Sequence, residues 1–492
     1  MTQAGTAPVP LAARPRHFIG GAWRAPRNGH ALPAENPSTG EEFGAIAAGD
    51  ADDVAAAVAA ASEAMAAARH RKWSATARGE ALWALADAVA ANAEEFAQIE
   101  ALDGGKPIGN ARMVDVPGTI AVLRYFAGWA TKLAGETVEM SAPGNWQGYT
   151  RRLPVGVVGQ INPWNYPLMG AAFKIGPAIA AGCATVLKPA EQTSLSSLRL
   201  AELAAGCGFP PGFFNVVAGT GEAAGAALVA HPDVAKIAFT GSTEVGRDIG
   251  ASCGRQLKRA TLELGGKSPV IVLPDADLEA AAQGIAMSIF FNTGQTCSAG
   301  SRLFVHRSVQ ERLIARIIAI ARSMQIGCAL DANTRIGPVV SRRQRDRVLG
   351  FVQGAVAKGA GLISGGSQLP GRGWFVEPAI LTEMTADMPA ATDEIFGPIL
   401  CAFPFETNDL DEIAAMANAT RYGLAAYVWT RDIGHALGLV DRLHAGTVRV
   451  NSGGGGDLSL PSGGVKQSGV GRENGRPGVE AYTEIQAVTV AY

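Results

Sequence analysis

One cysteine, Cys297, stands in a setting that suits a reactive thiol. It follows the aromatic pair Phe290-Phe291 and the turn Asn292-Thr293-Gly294-Gln295-Thr296, where small polar residues replace core-forming ones. The thiolate is the nucleophilic form of cysteine, so the group needs a base or a positive field nearby. Taken alone, the segment favours a small buried packing residue. The other residues that could do chemistry change that balance.

Two further polar side chains follow apolar strands. Asn165 lies between Pro163 and Pro167, which fix the backbone on either side, and an amide held in this way suits an oxyanion donor. Glu263 ends an apolar strand just before Gly265-Gly266, and a buried carboxyl has a raised pKa and can act as a general base. The structural alternatives are an amide that satisfies backbone groups in a cramped turn and a carboxylate that is merely paired.

Two other segments could hold a dinucleotide. Phe239-Thr240-Gly241-Ser242-Thr243-Glu244-Val245-Gly246 reads as a strand, a turn and a helix start, whose amides can hold a pyrophosphate. It is not the GxGxxG fingerprint, and an ordinary strand-to-helix turn explains it as well. Lys188 and Glu191 follow another strand, where both could reach ribose hydroxyls, although an ordinary surface ion pair is the alternative.

The elements that must position these residues alternate between short apolar strands and helices. This alternation is typical of a parallel sheet covered on both faces, with ligands bound beyond the carboxyl ends of the strands. The predicted strands are 18–23, 155–161, 184–187, 213–217, 236–239, 269–273, 447–450 and 487–490. The predicted helices are 51–70, 74–102, 116–133, 168–181, 193–206, 278–290 and 309–324, and an exposed hairpin is predicted at 136–154.

Composition excludes several classes of protein. The chain has 492 residues, enough for two or three domains, and its net charge of −2 provides no basic surface for nucleic acid. Six scattered cysteines and seven histidines show no disulfide framework and no metal-ligand spacing. Met1 to Arg16 lacks the apolar core of a signal peptide, and prolines interrupt the uncharged run from Pro154 to Phe173, so no membrane span is expected. A cytoplasmic protein is predicted.

Taken together, these segments resemble the aldehyde dehydrogenase superfamily, in its NAD(P)-dependent, non-phosphorylating form. The resemblance runs from about Phe18 to the C-terminus, and the motifs stand in the family's order and spacing. They are Phe239-Thr240-Gly241-Ser242, Glu263-Leu264-Gly265-Gly266-Lys267, Gly294-Gln295-Thr296-Cys297, Glu394-Ile395-Phe396-Gly397-Pro398 and Lys466-Gln467-Ser468-Gly469. Five independent motifs make the resemblance specific.

The resemblance implies five catalytic residues. Cys297 would attack the aldehyde carbon to form a thiohemiacetal, whose oxyanion the Asn165 side chain and the Cys297 N–H would hold. Hydride would pass to the nicotinamide, and Glu263 would activate the water that hydrolyses the remaining thioester to the acid. Lys174 and Glu473 match positions thought to relay protons from Glu263, with a structural ion pair as the alternative.

The resemblance also implies NAD as the cofactor. Glu191 would repel a 2′-phosphate, so NAD should be preferred, with NADP left as an alternative. Lys188 and Glu191 resemble ligands of the adenosine ribose, Ser242 the pyrophosphate contact and Glu394 the contact to the nicotinamide ribose. The full predicted cofactor set is Ile161, Pro163, Trp164, Lys188, Glu191, Gly221, Phe239, Gly241, Ser242, Leu264, Glu394 and Phe396.

The predicted substrate pocket is apolar and partly aromatic. Opposite it, Gly453–Gly456 stands where relatives often carry aromatic residues, which leaves room, and an apolar or aromatic aldehyde is the first expectation. The pocket residues are Tyr166, Met169, Phe173, Phe291, Thr296, Ser298 and Asp457.

Four other functions stay open. Betaine aldehyde or another aminoaldehyde would use Asp457 as its one cation partner. A semialdehyde with an anionic group would need an arginine, which the predicted pocket does not supply. A CoA-acylating relative is disfavoured by Glu263, and a non-catalytic structural protein by Cys297, Glu263 and Asn165.

The resemblance implies three parts. Residues 1–135 and 155–264 form a Rossmann-like dinucleotide-binding domain with a parallel sheet, and residues 265–466 form an α/β catalytic domain. Residues 136–154 and 467–492 form an oligomerisation element, because the late strand has no obvious local partner and would complete a neighbour's sheet. A homo-oligomer, either a dimer or a tetramer, is expected.

Overall fold

The computed structural model describes residues 15–70 and 73–492, and the strands within these ranges form four sheets. The predicted N-terminal arm, residues 1–16, lies almost wholly outside the described residues. No helix of the described part combines the length and the apolarity that a bilayer crossing requires.

The largest sheet has a Rossmann-like core of parallel strands. After Val157–Ile161, the next strands of the chain are added on one side of it, and from Val234–Thr240 onward the strands are added on its other side. The carboxyl end of Val157–Ile161 therefore borders the crevice where the strand order reverses, which is where such sheets bind ligands. In spatial order the strands of this first sheet are Gly469–Val470, Arg259–Glu263, Val234–Thr240, Val157–Ile161, Thr185–Lys188, Phe214–Val216, His17–Ile19 and Ala22–Arg24.

The second sheet is also parallel, apart from one edge strand. Its central strands are buried on both faces, so they are apolar throughout instead of alternating with polar residues. In spatial order they are Gly361–Ser364, Ala379–Thr382, Ile399–Phe405, Arg302–His306, Pro269–Val272, Ala425–Trp429 and Thr447–Val450. The predicted α/β fold with Rossmann-like parallel sheets is confirmed.

Two smaller sheets are antiparallel. The tail strand Thr483–Ala491 pairs along its whole length with Trp146–Pro154, which also pairs with Thr137–Val138. The expectation that the tail lacks a local partner was therefore wrong, because its partner is the hairpin of the same chain. Gly469–Val470, placed by sequence with the oligomerisation element, is an edge strand of the first sheet. Ala31–Asn36 and Glu41–Ala47, which were not predicted, form the fourth sheet.

Most predicted helices are present with shifted ends. The predicted helix 74–102 is two helices, because Asn92 leaves the helical region at φ −113° and its side-chain amide donates to the Ala88 carbonyl. The predicted helix 116–133 ends at Trp129. The α-helices are Ala51–His70, Ala75–Ala91, Ala93–Gly104, Ile108–Asn110, Val116–Trp129, Pro167–Ala181, Leu195–Ala205, Ala226–Ala230, Thr243–Gln256, Leu278–Phe290, Arg307–Ser323, Arg342–Ala357, Pro389–Thr392, Leu410–Asn418, Ile433–Arg442 and Gly475–Glu480.

Candidate active site

A cavity of about 680 Å³ lies between residues of the first and second sheets. The first sheet and its loops contribute Asn165, Ser242 and Glu263, and the second sheet's part of the chain contributes Cys297 and Glu394. The structure therefore brings the predicted thiol, amide and carboxyl groups to one place.

The turn before Cys297 has a strained and heavily bonded backbone. Asn292, Thr293 and Gly294 take φ values of +50°, +56° and +71°, a left-handed conformation that costs energy for the two residues that are not glycine. Hydrogen bonds of Gln295 offset this cost, because its side chain donates to the Asn292 carbonyl at 3.2 Å and accepts from the Val340 N–H at 2.9 Å. This framework fixes the direction in which the chain enters Cys297.

The amide of Asn165 is held in one orientation. Its Nδ2 donates one hydrogen bond, of 2.9 Å, to the Gln295 carbonyl, and its own backbone carbonyl accepts from Asn292 Nδ2 at 3.0 Å. A primary amide carries two N–H groups, so a second one is left for a ligand in the cavity. Asn292 and Gln295 orient both Asn165 and the turn before Cys297, and the sequence analysis missed them.

Glu263 lies at the end of its strand with the carboxyl almost fully buried. Its Oε1 has no hydrogen-bond partner among the described residues. Burial, followed by the negative charge of Glu473, raises the pKa of Glu263 well above its ordinary value, while Lys174 acts in the opposite direction. A carboxyl whose pKa is raised in this way binds a proton more readily than an exposed one and can act as a proton acceptor.

Lys174 joins Glu473 and Thr240 beneath Glu263. Its Nζ donates to Glu473 Oε1 at 2.9 Å and to Thr240 Oγ1 at 2.7 Å. All three residues line the same cavity as Glu263. The predicted relay and the alternative of a structural ion pair are both compatible with this contact.

The Cys297 thiol is protonated in this setting. Burial, and then the charges of Glu394 and Glu263, raise its pKa to about 12, although backbone N–H groups act against them. A thiolate at this position would therefore require transfer of the proton to a base.

The other end of the cavity has features that fit a dinucleotide. Ser242 caps the helix Thr243–Gln256 and accepts from the Val245 N–H at 3.3 Å, so the helix N-terminus faces the cavity. A Cβ at Gly241 would collide with the Phe239 ring, and one at Gly265 would collide with the Glu394 carboxyl. Both glycines thus leave space that a side chain would fill.

Glu394 and Phe396 are oriented towards this end. Glu394 Oε1 accepts from the Gly266 N–H at 3.0 Å, and burial raises the pKa of Glu394 to about 7. The Phe396 and Trp164 rings meet edge to face, with centroids 5.1 Å apart. Pro163 and Leu264 line the cavity as well.

The remaining predicted cofactor residues form a second group at the same edge of the first sheet. Ile161 is in register with Lys188 on one side and with Phe239 on the other. Lys188 Nζ donates to Glu191 at 3.0 Å, and the segment that begins at Gly221 lies beside them. These five residues do not line the cavity itself.

The predicted substrate residues divide into two groups. Tyr166, Met169, Phe173 and Ser298 line the cavity. Phe291, Thr296 and Asp457 do not: Thr296 Oγ1 is hydrogen-bonded to the Tyr166 hydroxyl at 2.9 Å, and Asp457 is exposed and accepts from the Ser459 N–H. The aminoaldehyde alternative therefore loses its one expected cation partner.

The sequence analysis missed an arginine in the cavity wall. Arg449 lies on the strand Thr447–Val450, opposite Tyr427, and lines the cavity with Thr447, Leu424 and Ala425. Polar and apolar residues alternate in Thr447-Val448-Arg449-Val450, and this alternation could have indicated that one face of the strand borders a polar space.

The fold and the cavity together define an α/β protein with Rossmann-like sheets and a binding cleft at a topological switch point. A model of the aldehyde dehydrogenase family matches residues 23–488. The chain belongs to the aldehyde dehydrogenase family, and the predicted family and class of enzyme are confirmed.

Three similar proteins illustrate the relationship. A phenylacetaldehyde dehydrogenase from Pseudomonas fluorescens is 47% identical over 481 residues, which cover 96% of this chain and 95% of the relative. An aldehyde dehydrogenase from Bacillus cereus, solved as an NAD⁺ complex, is 42% identical with a TM-score of 0.95 and covers 98% of this chain and 97% of its own. An indole-3-acetaldehyde dehydrogenase from P. syringae, solved with NAD⁺ and IAA, is 38% identical with a TM-score of 0.94 over 98% of this chain and 97% of its own.

Proposed function

We propose that this protein oxidises an aromatic or other apolar aldehyde to its carboxylic acid with NAD. The proposal rests on one observation: Cys297, Glu263 and Asn165 converge on the cavity into which the N-terminus of the helix after Ser242 points. The names of the similar phenylacetaldehyde and indole-3-acetaldehyde enzymes support an aromatic substrate.

In this proposal each group of the site has one task. Cys297 gives its proton to solvent as its sulfur bonds to the aldehyde carbon, and the free N–H of Asn165 and the Cys297 N–H stabilise the resulting oxyanion. Ser242 and Glu394 would hold NAD, which when bound would supply the acceptor for the departing hydride. Loss of hydride leaves a thioester on Cys297, and Glu263 removes a proton from the water that hydrolyses it. Lys174 and Glu473 pass that proton onward.

The test is NADH formation with a panel of aldehydes. We expect turnover with phenylacetaldehyde or benzaldehyde, weaker turnover with betaine aldehyde, and loss of turnover in Cys297→Ala. Cys328→Ala is the matched control, since Cys328 is exposed and lies outside the cavity. Equal activity in Cys297→Ala and in the control would overturn the proposal, and strict dependence on coenzyme A would favour the acylating alternative.

We propose NAD in preference to NADP because of Glu191. Burial acts to raise its pKa, but the charge of Lys188, a backbone N–H and the hydrogen bonds of Lys188 and Gln192 together outweigh burial and lower it, so the group is an anion at neutral pH. That charge would repel a 2′-phosphate. The kcat/KM ratio for the two cofactors should favour NAD and should fall in Glu191→Gln; a wild-type preference for NADP would contradict the assignment.

We also propose a homo-oligomer assembled through residues 136–154 and 467–492, with the domain limits predicted above. Thr483–Ala491 is an edge strand whose outer side has no partner among the described residues, and Ile485 and Val490 are exposed on it. Such an edge pairs readily with another chain. Light scattering of the purified protein should give a mass above 50.7 kDa, and a monomer at micromolar concentration would refute this.

A further inference from the structure

Arg449 supplies a positive charge to the cavity wall near Cys297. Its Nη1 donates to the Tyr427 hydroxyl at 3.2 Å, and that hydroxyl donates to the carbonyl of Ser298, the residue after Cys297, at 2.8 Å. Two hydrogen bonds thus connect the guanidinium to the nucleophile's own turn. The guanidinium carbon also lies 5.5 Å from the centroid of the Tyr427 ring.

The guanidinium is held in place on its other side as well. Its Nε donates to the Gly455 carbonyl at 2.9 Å, which ties it to the exposed glycine loop. Nη2 makes no hydrogen bond within the described residues, and no carboxylate there lies within salt-bridge distance of Arg449. The charge is therefore oriented by its neighbours without being neutralised.

Two other arginines of the cavity lie in a different part of it. Arg421 forms an ion pair with Asp393 at 3.0 Å, and Arg347 donates to the Glu394 carbonyl at 2.8 Å, both beside the proposed cofactor end. Arg449 alone among these three adjoins Ser298 and the glycine loop, at the proposed substrate end. A planar guanidinium with a free edge matches the geometry of a carboxylate.

We propose that Arg449 selects aromatic aldehydes that carry an anionic group, such as a carboxylate, at the end of the molecule away from the aldehyde. This inference rests on the proposed function and narrows its substrate class. Phe173 and Met169 contact the ring, Cys297 takes the aldehyde carbon, and Arg449 pairs with the distal anion. The loop that holds Arg449 through the Gly455 carbonyl is not packed against other residues at Gly454 and Gly456.

The test compares three aldehydes that share the benzaldehyde core and differ in the para substituent, namely benzaldehyde, para-carboxybenzaldehyde and para-trimethylammoniobenzaldehyde. We expect the wild-type protein to favour the carboxylate over the ammonium compound, and Arg449→Gln to lower kcat/KM for the carboxylate by about tenfold or more. The same change should leave benzaldehyde within about threefold, which also shows that the variant is folded. Added salt should weaken the wild-type preference.

Two further variants separate charge from structure. Arg449→Glu should reverse the order of the two charged substrates, and Tyr427→Phe, which removes the hydrogen bonds but keeps the charge, should retain the wild-type order. An equal loss for all three substrates in Arg449→Gln would overturn the selective role and leave the proposed function standing. If no aldehyde yields NADH with the wild-type protein, both proposals fail.

Discussion

Two glycine-rich segments adjoin residues that line the cavity, and their glycines act in opposite ways. We call Gly265, Gly266 and Gly294, next to Cys297, the packed border, and Gly454–Gly456 the open border. A Cβ at Gly266 would collide with the Cys297 carbonyl, and one at Gly294 with the Gly397 carbonyl. At Gly454 and Gly456 a Cβ would meet nothing within 4 Å. Glycine permits close approach of two backbones at the first border and leaves space at the second.

The charged residues at the two borders also differ, in their burial and in the contacts that hold them. At the packed border Glu263 is buried and its Oε1 lacks a hydrogen-bond partner in the described chain, so its protonation state depends on Lys174 and Glu473. At the open border Arg449 is only partly buried, and three contacts orient it. The packed border is suited to chemistry, which requires fixed distances, and the open border to selection among substrates.

Changing the base of the packed border should have the largest effect. Glu263→Gln keeps the shape but removes the proton acceptor, and we expect kcat to fall by about 10² to 10⁴. A burst of NADH equal to the enzyme concentration should remain, because in the proposed mechanism thioester formation precedes the step that needs Glu263. Loss of the burst together with turnover would mean that Glu263 also takes the Cys297 proton.

The same variant has a second, pH-dependent consequence. Because the folded pKa of Glu263 is raised, the folded protein binds this proton more tightly than the unfolded chain, so wild-type stability falls as pH rises from about 4.3 through the raised pKa. Gln does not titrate. The Tm of Glu263→Gln relative to wild type should therefore increase by roughly a degree or more between about pH 5 and pH 8. A constant difference across that window would contradict the raised pKa.

The backbone of the packed border should be nearly as sensitive. In Gly266→Ala the new methyl would displace the Cys297 carbonyl, and a shift of this kind costs about 10² in kcat/KM. Gly250→Ala, in the helix Thr243–Gln256 and away from the cavity lining, is the control for the loss of a glycine. Near-wild-type activity of Gly266→Ala would show that the border is not rigid.

The packed border was largely predictable from sequence, and the open border was not. Cys297, Glu263 and Asn165 stand at strand ends and turns, and the parallel-sheet rule places such positions at one edge. The side chains that orient them, such as Asn292 and Gln295, contact residues distant in sequence, and their types carry no local signal. The sequence analysis placed Asp457 in the substrate pocket, whereas its side chain is exposed outside the cavity lining.

The fold, too, was predictable from sequence only in part. The parallel strands that the sequence analysis listed lie within one or two residues of the observed ones, because burial on both faces makes them apolar throughout. Four further parallel strands of the second sheet were not predicted, namely Arg302–His306, Ala379–Thr382, Ile399–Phe405 and Ala425–Trp429. The pairing of Thr483–Ala491 with Trp146–Pro154 was not, since it joins segments more than 300 residues apart. Arg449 was missed for a related reason, because it reaches the cavity only when its strand adds to the edge of the second sheet.

Removing the charge of Lys174 or of Glu473 should have an intermediate effect on the rate, and the two changes should shift the pH profile in opposite directions. Lys174 acts to lower the pKa of Glu263 and Glu473 acts to raise it. Lys174→Met should therefore move the acidic limb of the pH profile of kcat upward and lower the rate at neutral pH by about tenfold, whereas Glu473→Gln should move it downward. Lys132→Met, at an exposed position, is the control. Shifts of equal sign would favour a purely structural ion pair.

The open border should tolerate the change that the packed border does not. In Gly454→Ala the added methyl meets no atom within 4 Å, and the residue does not have a positive φ, so we expect kcat/KM for benzaldehyde to stay within about twofold of wild type. Gly455→Ala should have a larger effect, because φ at this residue is +85° and the Gly455 carbonyl accepts a hydrogen bond from Arg449. It should alter the preference between the carboxylated and unsubstituted aldehydes while the rate with benzaldehyde changes little. A large loss of activity with benzaldehyde in Gly454→Ala would mean that the loop closes over the substrate. Both borders, and not the packed border alone, would then require a rigid backbone.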